Sequence, residues 1–229
     1  PSDIGKIRVS GCHYDVNFVQ NNPNGIIEHY GNFKEINDTL VVDDLEALQS
    51  ACINEVAELE VDGITRMNSA KSHSGGHLID AAVVRYGVKE CSYYLLPWIP
   101  KKGYHFSDGA NVEYEGKMES SDPDNRSLPK ESELVSAINS HLNDLVNENI
   151  ACDIITVKKE DASVYCEGFD MEGYPDVVRL VQIGNIYIPC GGTHVANTSE
   201  LVGICISKIK CKKGIVKVSY SVPPTKIVE

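Results

Sequence analysis

The chain has 229 residues, with Lys+Arg 21 against Asp+Glu 33, a net charge of -12 and a pI ≈ 5.0. With 42% hydrophobic and 24% charged residues it has the make-up of one large or two small globular domains, which excludes collagen, a coiled coil and a disordered chain. No apolar run approaches the roughly 18 residues of a membrane span, and the negative charge excludes coating of nucleic acid through bulk positive charge.

The first 36 residues read as β-rich. Ile4, Ile7 and Val9 lead into Gly11, and Ile26-Ile27 follow the turn formers Asn21-Asn22-Pro23-Asn24-Gly25. Val42, Leu45, Leu48 and Cys52 keep helical spacing behind Asp43-Asp44, which predicts a helix over 43–52 and a strand over 54–61. Asp62-Gly63 marks a domain boundary. Asp62 is a fitting N-cap for a helix over 63–86, and Gly87 a fitting stop. That helix carries Gly75-Gly76, each costing about 1 kcal/mol relative to alanine. A helix tolerates such a pair only if something gains from the missing side chains.

Strands are expected at 91–96 and over 104–115, the latter with a hairpin turn at Ser107-Asp108-Gly109. Residues 119–130 read as a polar loop. Pro129 opens a helix over 130–148, with Leu134, Ile138, Leu142, Leu145 and Val146 on one face. A strand at 152–158 and a short helix near 160–166 follow. Further strands are expected at 177–183, 185–189, 202–210 and 215–221. The alternation is not a regular βαβ repeat, so the fold class is α+β, with a β-rich module over 1–61 and a second domain over 62–229.

The eight cysteines are scattered, with no CxxC pair. A chain long enough to bury its own core needs no disulfide framework, and a cytoplasmic, reducing location fits better. Most of these cysteines read as small buried hydrophobes. Cys190 is the exception. It stands four residues before His194, in Ile188-Pro189-Cys190-Gly191-Gly192-Thr193-His194, a tight loop after a strand. His73 and His77 have the same spacing on the predicted helix, so both imidazoles fall on one face. One thiolate and three imidazoles are a ligand set suited to zinc. A zincin would need Glu beside the first His, and here that residue is Ser74. Four protein ligands suit a closed structural site, whereas Gly75-Gly76 and Gly191-Gly192 leave room for a substrate; the residues alone allow both. His13, His29, His105 and His141 lack such partners, though His105 sits between the aromatics Tyr104 and Phe106.

At these motifs the chain resembles a known family. Residues 68–83 (NSAKSHSGGHLIDAAV) and 189–220 (PCGGTHVANTSELVGICISKIKCKKGIVKVSY) resemble the editing domain of alanyl-tRNA synthetases, which freestanding AlaX-type proteins share. Residues 103–116 and 174–184 resemble segments of the freestanding members, so the likeness spans about 62–221. The resemblance implies an α/β two-layer editing domain with an antiparallel sheet, behind a barrel-like β module at 1–61. Pro1-Ser2-Asp3-Ile4-Gly5 looks like the tail of a glycine-rich stretch of longer members, so the module is expected to be truncated at its start.

The resemblance also implies a hydrolase that removes serine or glycine wrongly attached to alanine tRNA, with His73, His77, Cys190 and His194 as zinc ligands. No membrane and no ATP are expected as partners. Ester hydrolysis at the tRNA 3′ end would use zinc to position the substrate rather than to carry hydroxide, since four protein ligands leave little room. Backbone N–H groups of Gly191, Gly192 and Thr193 would stabilise the oxyanion, and Ser74 and His105 would contact substrate. Thr193 is a second candidate for the amino acid, and for both Thr193 and Ser74 a local cap or turn bond is an equal alternative. Lys208, Lys210, Lys212 and Lys213, followed by Lys217, form the one basic run, and Lys208, Lys210 and Lys212 would share a strand face toward tRNA phosphates. Three other readings are a catalytically inactive zinc-stabilised tRNA-binding module, an editing-domain fragment of an alanyl- or threonyl-tRNA synthetase and, last in rank, a protein-interaction role without metal.

Overall fold

Alternating apolar residues and a two-residue turn start the chain. Ser10 and Gly11 both take positive φ (48° and 79°), the twist that joins antiparallel strands most tightly. They link β1 (Gly5–Val9) to β2 (Cys12–Asn21), and β3 (Ile27–Lys34) and β4 (Ala57–Val61) complete the sheet. The computed structural model describes residues 3–22, 24–34, 52–89, 98–106, 108–116, 130–166 and 171–225. The helix expected over 43–52 and the strand over 91–96 fall almost wholly or wholly outside these.

The chain divides into two compact units, Pro1–Asn68 and Ser69–Glu229. In the first, the strand order is β3-β2-β1-β4, antiparallel throughout. Gly31 and Gly5 are required there. A Cβ would lie 1.8 Å from Asp15 O in the first case and 2.0 Å from Glu60 O in the second. Asp62 then caps α1 (Gly63–Lys89), its Oδ1 accepting the Thr65 N–H at 2.7 Å. α1 begins in the first unit and continues in the second. Gly87 does not stop it, because a stopping glycine turns to positive φ and Gly87 does not.

The second unit is also antiparallel. One sheet has the order β10-β11-β6-β5, and a three-stranded sheet has the order β7-β8-β9. These are β5 (Ile99–Tyr104), β6 (Asn111–Glu115), β7 (Ile154–Lys158), β8 (Val177–Ile183), β9 (Ile186–Pro189), β10 (Cys205–Lys212) and β11 (Ile215–Ser221). The hairpin expected within 104–115 is present, but its first strand arrives earlier, at 99–104. Pro100 masks it in the sequence; β5 is an edge strand, where a missing N–H is tolerated. The short helix near 160–166 is a 3-10 turn over Lys159–Val164. Among the described residues no helix is long and apolar enough to cross a membrane.

α2 (Glu131–Asn147) buries Leu134, Ile138, Leu142, Leu145 and Val146 in one core with Leu78, Ile79 and Ala82 of α1, Val181 and Ile183 of β8, and Val216 and Val218 of β11. Between Ile206 and Lys208 the β10–β11 register slips. Asn139 of α2 meets the backbone left over there, donating Nδ2–H to Ile206 O at 2.9 Å and accepting the Ile206 N–H at 2.8 Å. A polar residue on a helix face thus fixes where the sheet sits. Leu142 has no exposed surface, so Leu142→Ala should lower unfolding free energy by about 2–5 kcal/mol. Urea denaturation checks this, and a loss below about 1 kcal/mol would refute the packing described.

Candidate metal centre

α1 and the loop after β9 meet at four side chains. His73, His77, Cys190 and His194 each offer one ligand atom, and these atoms all lie within 4.8 Å of one another. Two glycines permit the approach. A Cβ on Gly192 would stand 2.2 Å from His73 Cε1, and one on Gly76 2.4 Å from His105 Cε1. Gly75 does the same for the end of β11, where a Cβ would be 2.8 Å from Val222 Cγ2. This is the gain that a glycine pair inside a helix requires.

The loop is held from several sides. The Cys190 N–H donates to Arg179 O at 3.1 Å, and the Arg179 guanidinium donates to Cys190 O. Glu200 accepts the Ala196 and Asn197 N–H groups at 2.8 and 3.1 Å. Thr198, fully buried, donates to Leu145 O and accepts the Ile150 N–H. Ser74 ties helix to loop. It has no exposed surface, its Oγ accepts the Val195 N–H at 3.1 Å, and it lies 3.2 Å from His194 Nδ1. Of the two roles open to Ser74, substrate contact and a local bond, its buried oxygen makes the local one, to the loop and beside His194.

The residues present fit a metal ion. A tetrahedral zinc with bonds of about 2.0–2.3 Å separates its ligand atoms by about 3.3–3.8 Å, and Cys190 Sγ lies 3.4 Å from His73 Nε2. His77 Nε2 and His194 Nε2 are buried without a hydrogen-bond partner among the described residues, an arrangement that is costly unless something binds them. Burial pushes the Cys190 thiol up, but hydrogen bonds from His194, His73 and His77 outweigh it and bring its pKa down to about 3. Burial likewise disfavours a charged His77, yet Asp80 and Cys190 lift it to about 9. Burial and the neighbouring His73 and His77 push His105 down to about 4. The pattern is a thiolate held among imidazoles.

The residues behind the ligands were not foreseen. His77 Nδ1 faces Asp80 Oδ2 at 3.5 Å, and Asp80 Oδ1 accepts the hydroxyl of buried Tyr114 at 2.5 Å. A carboxylate behind a ligating imidazole orients it and raises its basicity. Asp80 lies three residues after His77 on the same helix, a spacing the sequence does display. Tyr114 comes from β6 and has no such signal.

The remaining expected site residues are spread out. Gly191 and Thr193 are exposed at the loop tip. The Gly192 N–H points at Cys190 Sγ, 3.4 Å away, so it is committed to the thiolate. His105 lies beside the cluster, its ring centroid 4.9 Å from that of His73. With His77, Asp80, Val112 and Ile188 it lines a cavity of about 410 Å³. Lys208, Lys210 and Lys212 are exposed on one face of β10, away from buried Ile209. Lys213 is in the turn to β11, at φ 53°.

Residues 178–216, from β8 into β11, match the family described as "Threonyl and Alanyl tRNA synthetase second additional domain". The chain is similar to alanine–tRNA ligases of Mesoplasma florum (30% identity over 164 residues, 70% of this chain and 16% of the ligase) and Mycoplasma capricolum (29% over 167, 70% and 16%). The ligase of Anaeromyxobacter dehalogenans is 26% identical over 208 residues, 87% of this chain and 19% of the ligase. The chain therefore spans between 16% and 19% of the length of these relatives. The resemblance to the alanyl-tRNA synthetase editing-domain family, read from the His and Cys motifs, stands on both comparisons.

Gly192→Ala should displace His73 and disrupt the centre while leaving the distant α2 core intact. Cobalt loading reports this directly. The parent should show a thiolate-to-cobalt charge-transfer band, lost in Cys190→Ser and weakened in Gly192→Ala. Asp80→Asn should weaken metal affinity by about 10–100-fold. Unchanged affinity in both Gly192→Ala and Asp80→Asn would refute the arrangement.

Proposed function

We propose that the chain is an aminoacyl-tRNA deacylase that acts in trans, hydrolysing the ester of seryl- or glycyl-tRNA(Ala) without charging tRNA itself. The observation that carries this reading is the His73, His77, Cys190, His194 cluster, of which His77 lines a cavity of about 410 Å³. A purely structural metal needs no cavity beside it. Zinc is the ion that this donor set favours, and when bound it would hold the aminoacyl group or terminal ribose in place. Residues 62–229 serve as the editing domain and 1–61 as an N-terminal β module.

The protein's own residues supply the rest. Asp80 and Ser74 orient His77 and His194 from behind. The exposed backbone at Gly191 and Thr193 is offered to the developing oxyanion, with Gly192 holding the thiolate. A reducing cytoplasm suits the site, because Cys190 must stay unoxidised to serve as a ligand.

The outer face of the large sheet favours a phosphate partner. Lys210 pairs directly with Lys217 across β10 and β11, and the row continues through Glu113 to Lys102. Like charges placed directly opposite destabilise a sheet. Lys217 is relieved by Glu113 at 3.6 Å. Phosphates of the tRNA would relieve the exposed Lys208, Lys210 and Lys212.

A second reading has one observation in its favour: the relatives are whole alanine–tRNA ligases. In that case the same site edits within a longer enzyme. Mass spectrometry of the endogenous protein separates the two, since a native chain several times longer than 229 residues would support the second.

The deciding experiment is deacylation. Purified protein should release serine from seryl-tRNA(Ala) well above background, spare alanyl-tRNA(Ala), and lose activity after chelation. No release of serine or glycine above background would leave the inactive binding module standing in its place. Lys210→Glu combined with Lys212→Glu should weaken tRNA binding and flatten its salt dependence by about two ions. An unaltered salt slope would remove these lysines from the interface.

A further inference from the structure

His105 is a fourth imidazole beside the centre and has no place in a ligand set of three imidazoles and one thiolate. It sits between two glycines. A Cβ on Gly76 would stand 2.4 Å from its Cε1, and one on Gly103 only 2.2 Å from its Nε2. Two elements, α1 and β5, have therefore given up side chains where this ring lies.

Tyr220 determines which ring nitrogen carries the proton. A tyrosine hydroxyl has one hydrogen, and that of Tyr220 is donated to Ser72 O at 2.7 Å. The 2.8 Å contact between the same oxygen and His105 Nδ1 must then be donation by the imidazole. His105 is held as its Nδ1–H tautomer, with a lone pair on Nε2. Nε2 has no hydrogen-bond partner among the described residues, and the ring lines the cavity beside His77 and Asp80.

We propose that His105 is a specificity-determining residue whose Nε2 accepts a hydrogen bond from the side-chain hydroxyl of a seryl group, so that the site separates serine from alanine. This rests on the deacylase reading above. Two other donors suit the position less well. A substrate α-ammonium would bring a positive charge beside the cation that the four ligands would hold. A water being deprotonated would turn the ring into an imidazolium in the same place, with the same repulsion. A neutral hydroxyl meets a neutral acceptor at no such cost. Because His105 is only half-buried, water can take the place of a missing hydroxyl. The discrimination expected is therefore about 10–100-fold, below what a fully sealed acceptor achieves.

The test uses the zinc-loaded full chain and two non-hydrolysable ligands, 3′-amide-linked seryl and alanyl derivatives of 3′-amino-3′-deoxyadenosine. Calorimetry should show the seryl ligand preferred by about tenfold or more. His105→Ala should erase that preference by loss on the seryl ligand alone, and His105→Gln, which keeps an acceptor, should recover part of it. Nitrogen NMR on the unaltered protein guards against a misfolded variant: the seryl ligand should shift the Nε2 resonance of His105 and the alanyl ligand should not. Equal binding of the two ligands by the parent, equal losses in His105→Ala, or an unmoved Nε2 resonance overturns the proposal. Selective binding by a protein that deacylates nothing would sink the deacylase reading and leave His105 in this role. Deacylation of seryl-tRNA(Ala) that is unchanged in His105→Ala would sink the His105 role alone.

Discussion

Two segments 117 residues apart in sequence, one on a helix and one on a loop, must approach closely enough for a thiolate and three imidazoles to share one point. The approach rests on Ser74. Its buried oxygen meets the Val195 N–H and His194 Nδ1 at once, so one small polar side chain sets both the position of the loop and the orientation of the His194 ring. A larger residue would push the loop away. Alanine would leave a buried N–H unpaired, which costs on the order of 1–3 kcal/mol. The rest of the second unit makes that contact reproducible. Arg179 clamps Cys190 from β8, Thr198 ties the following turn to α2, and α2 is pinned in turn to β10 through Asn139.

The charge distribution follows from the same meeting of segments. A buried thiol left alone would stay protonated, and a buried imidazole would stay neutral. Brought together, the imidazoles draw the Cys190 thiol down while Asp80 and Cys190 raise His77, and burial still lowers His194. Asp80 extends the pattern by one layer. It stands behind His77 while itself held by Tyr114, so the imidazole is oriented by a group with little freedom of its own. The same geometry separates His105 from the ligands. Its hydrogen bond runs away from the cluster, to Tyr220 and from there to the backbone of α1.

Much of this was legible in the sequence, for identifiable reasons. Strand β8 and helix α2 were readable because β-branched residues or periodic leucines dominate them. The histidine and cysteine pairs stood out because i and i+4 spacing on a helix and a glycine-flanked loop each place two ligands together. Strand β5 was missed because Pro100 and two lysines give it no apolar alternation, and only its place at a sheet edge permits that composition. Gly87 looked like a stop because composition cannot report φ. The role of Ser74 stayed open for a related reason: a hydroxyl beside a histidine looks the same in sequence whether it faces substrate or the protein interior. Tyr114 and Tyr220 carried no signal, since their partners lie on other elements.

The glycines show where stability has been given up for the site. Gly75 and Gly76 lie mid-helix, where each costs about 1 kcal/mol against alanine. Two such positions are a sizeable fraction of the stability of an ordinary domain. Alanine would restore that propensity, yet its methyl group would collide with Val222 and Ile204 at one position and with His105 at the other. Gly103 faces the same ring from β5. A protein selected for stability alone would fill these spaces and lose the close approach. Gly76 and Gly103 leave their space to the His105 ring, which lines the cavity, whereas the space at Gly75 is taken by Val222 and Ile204, so only part of the helical cost serves the approach of that imidazole.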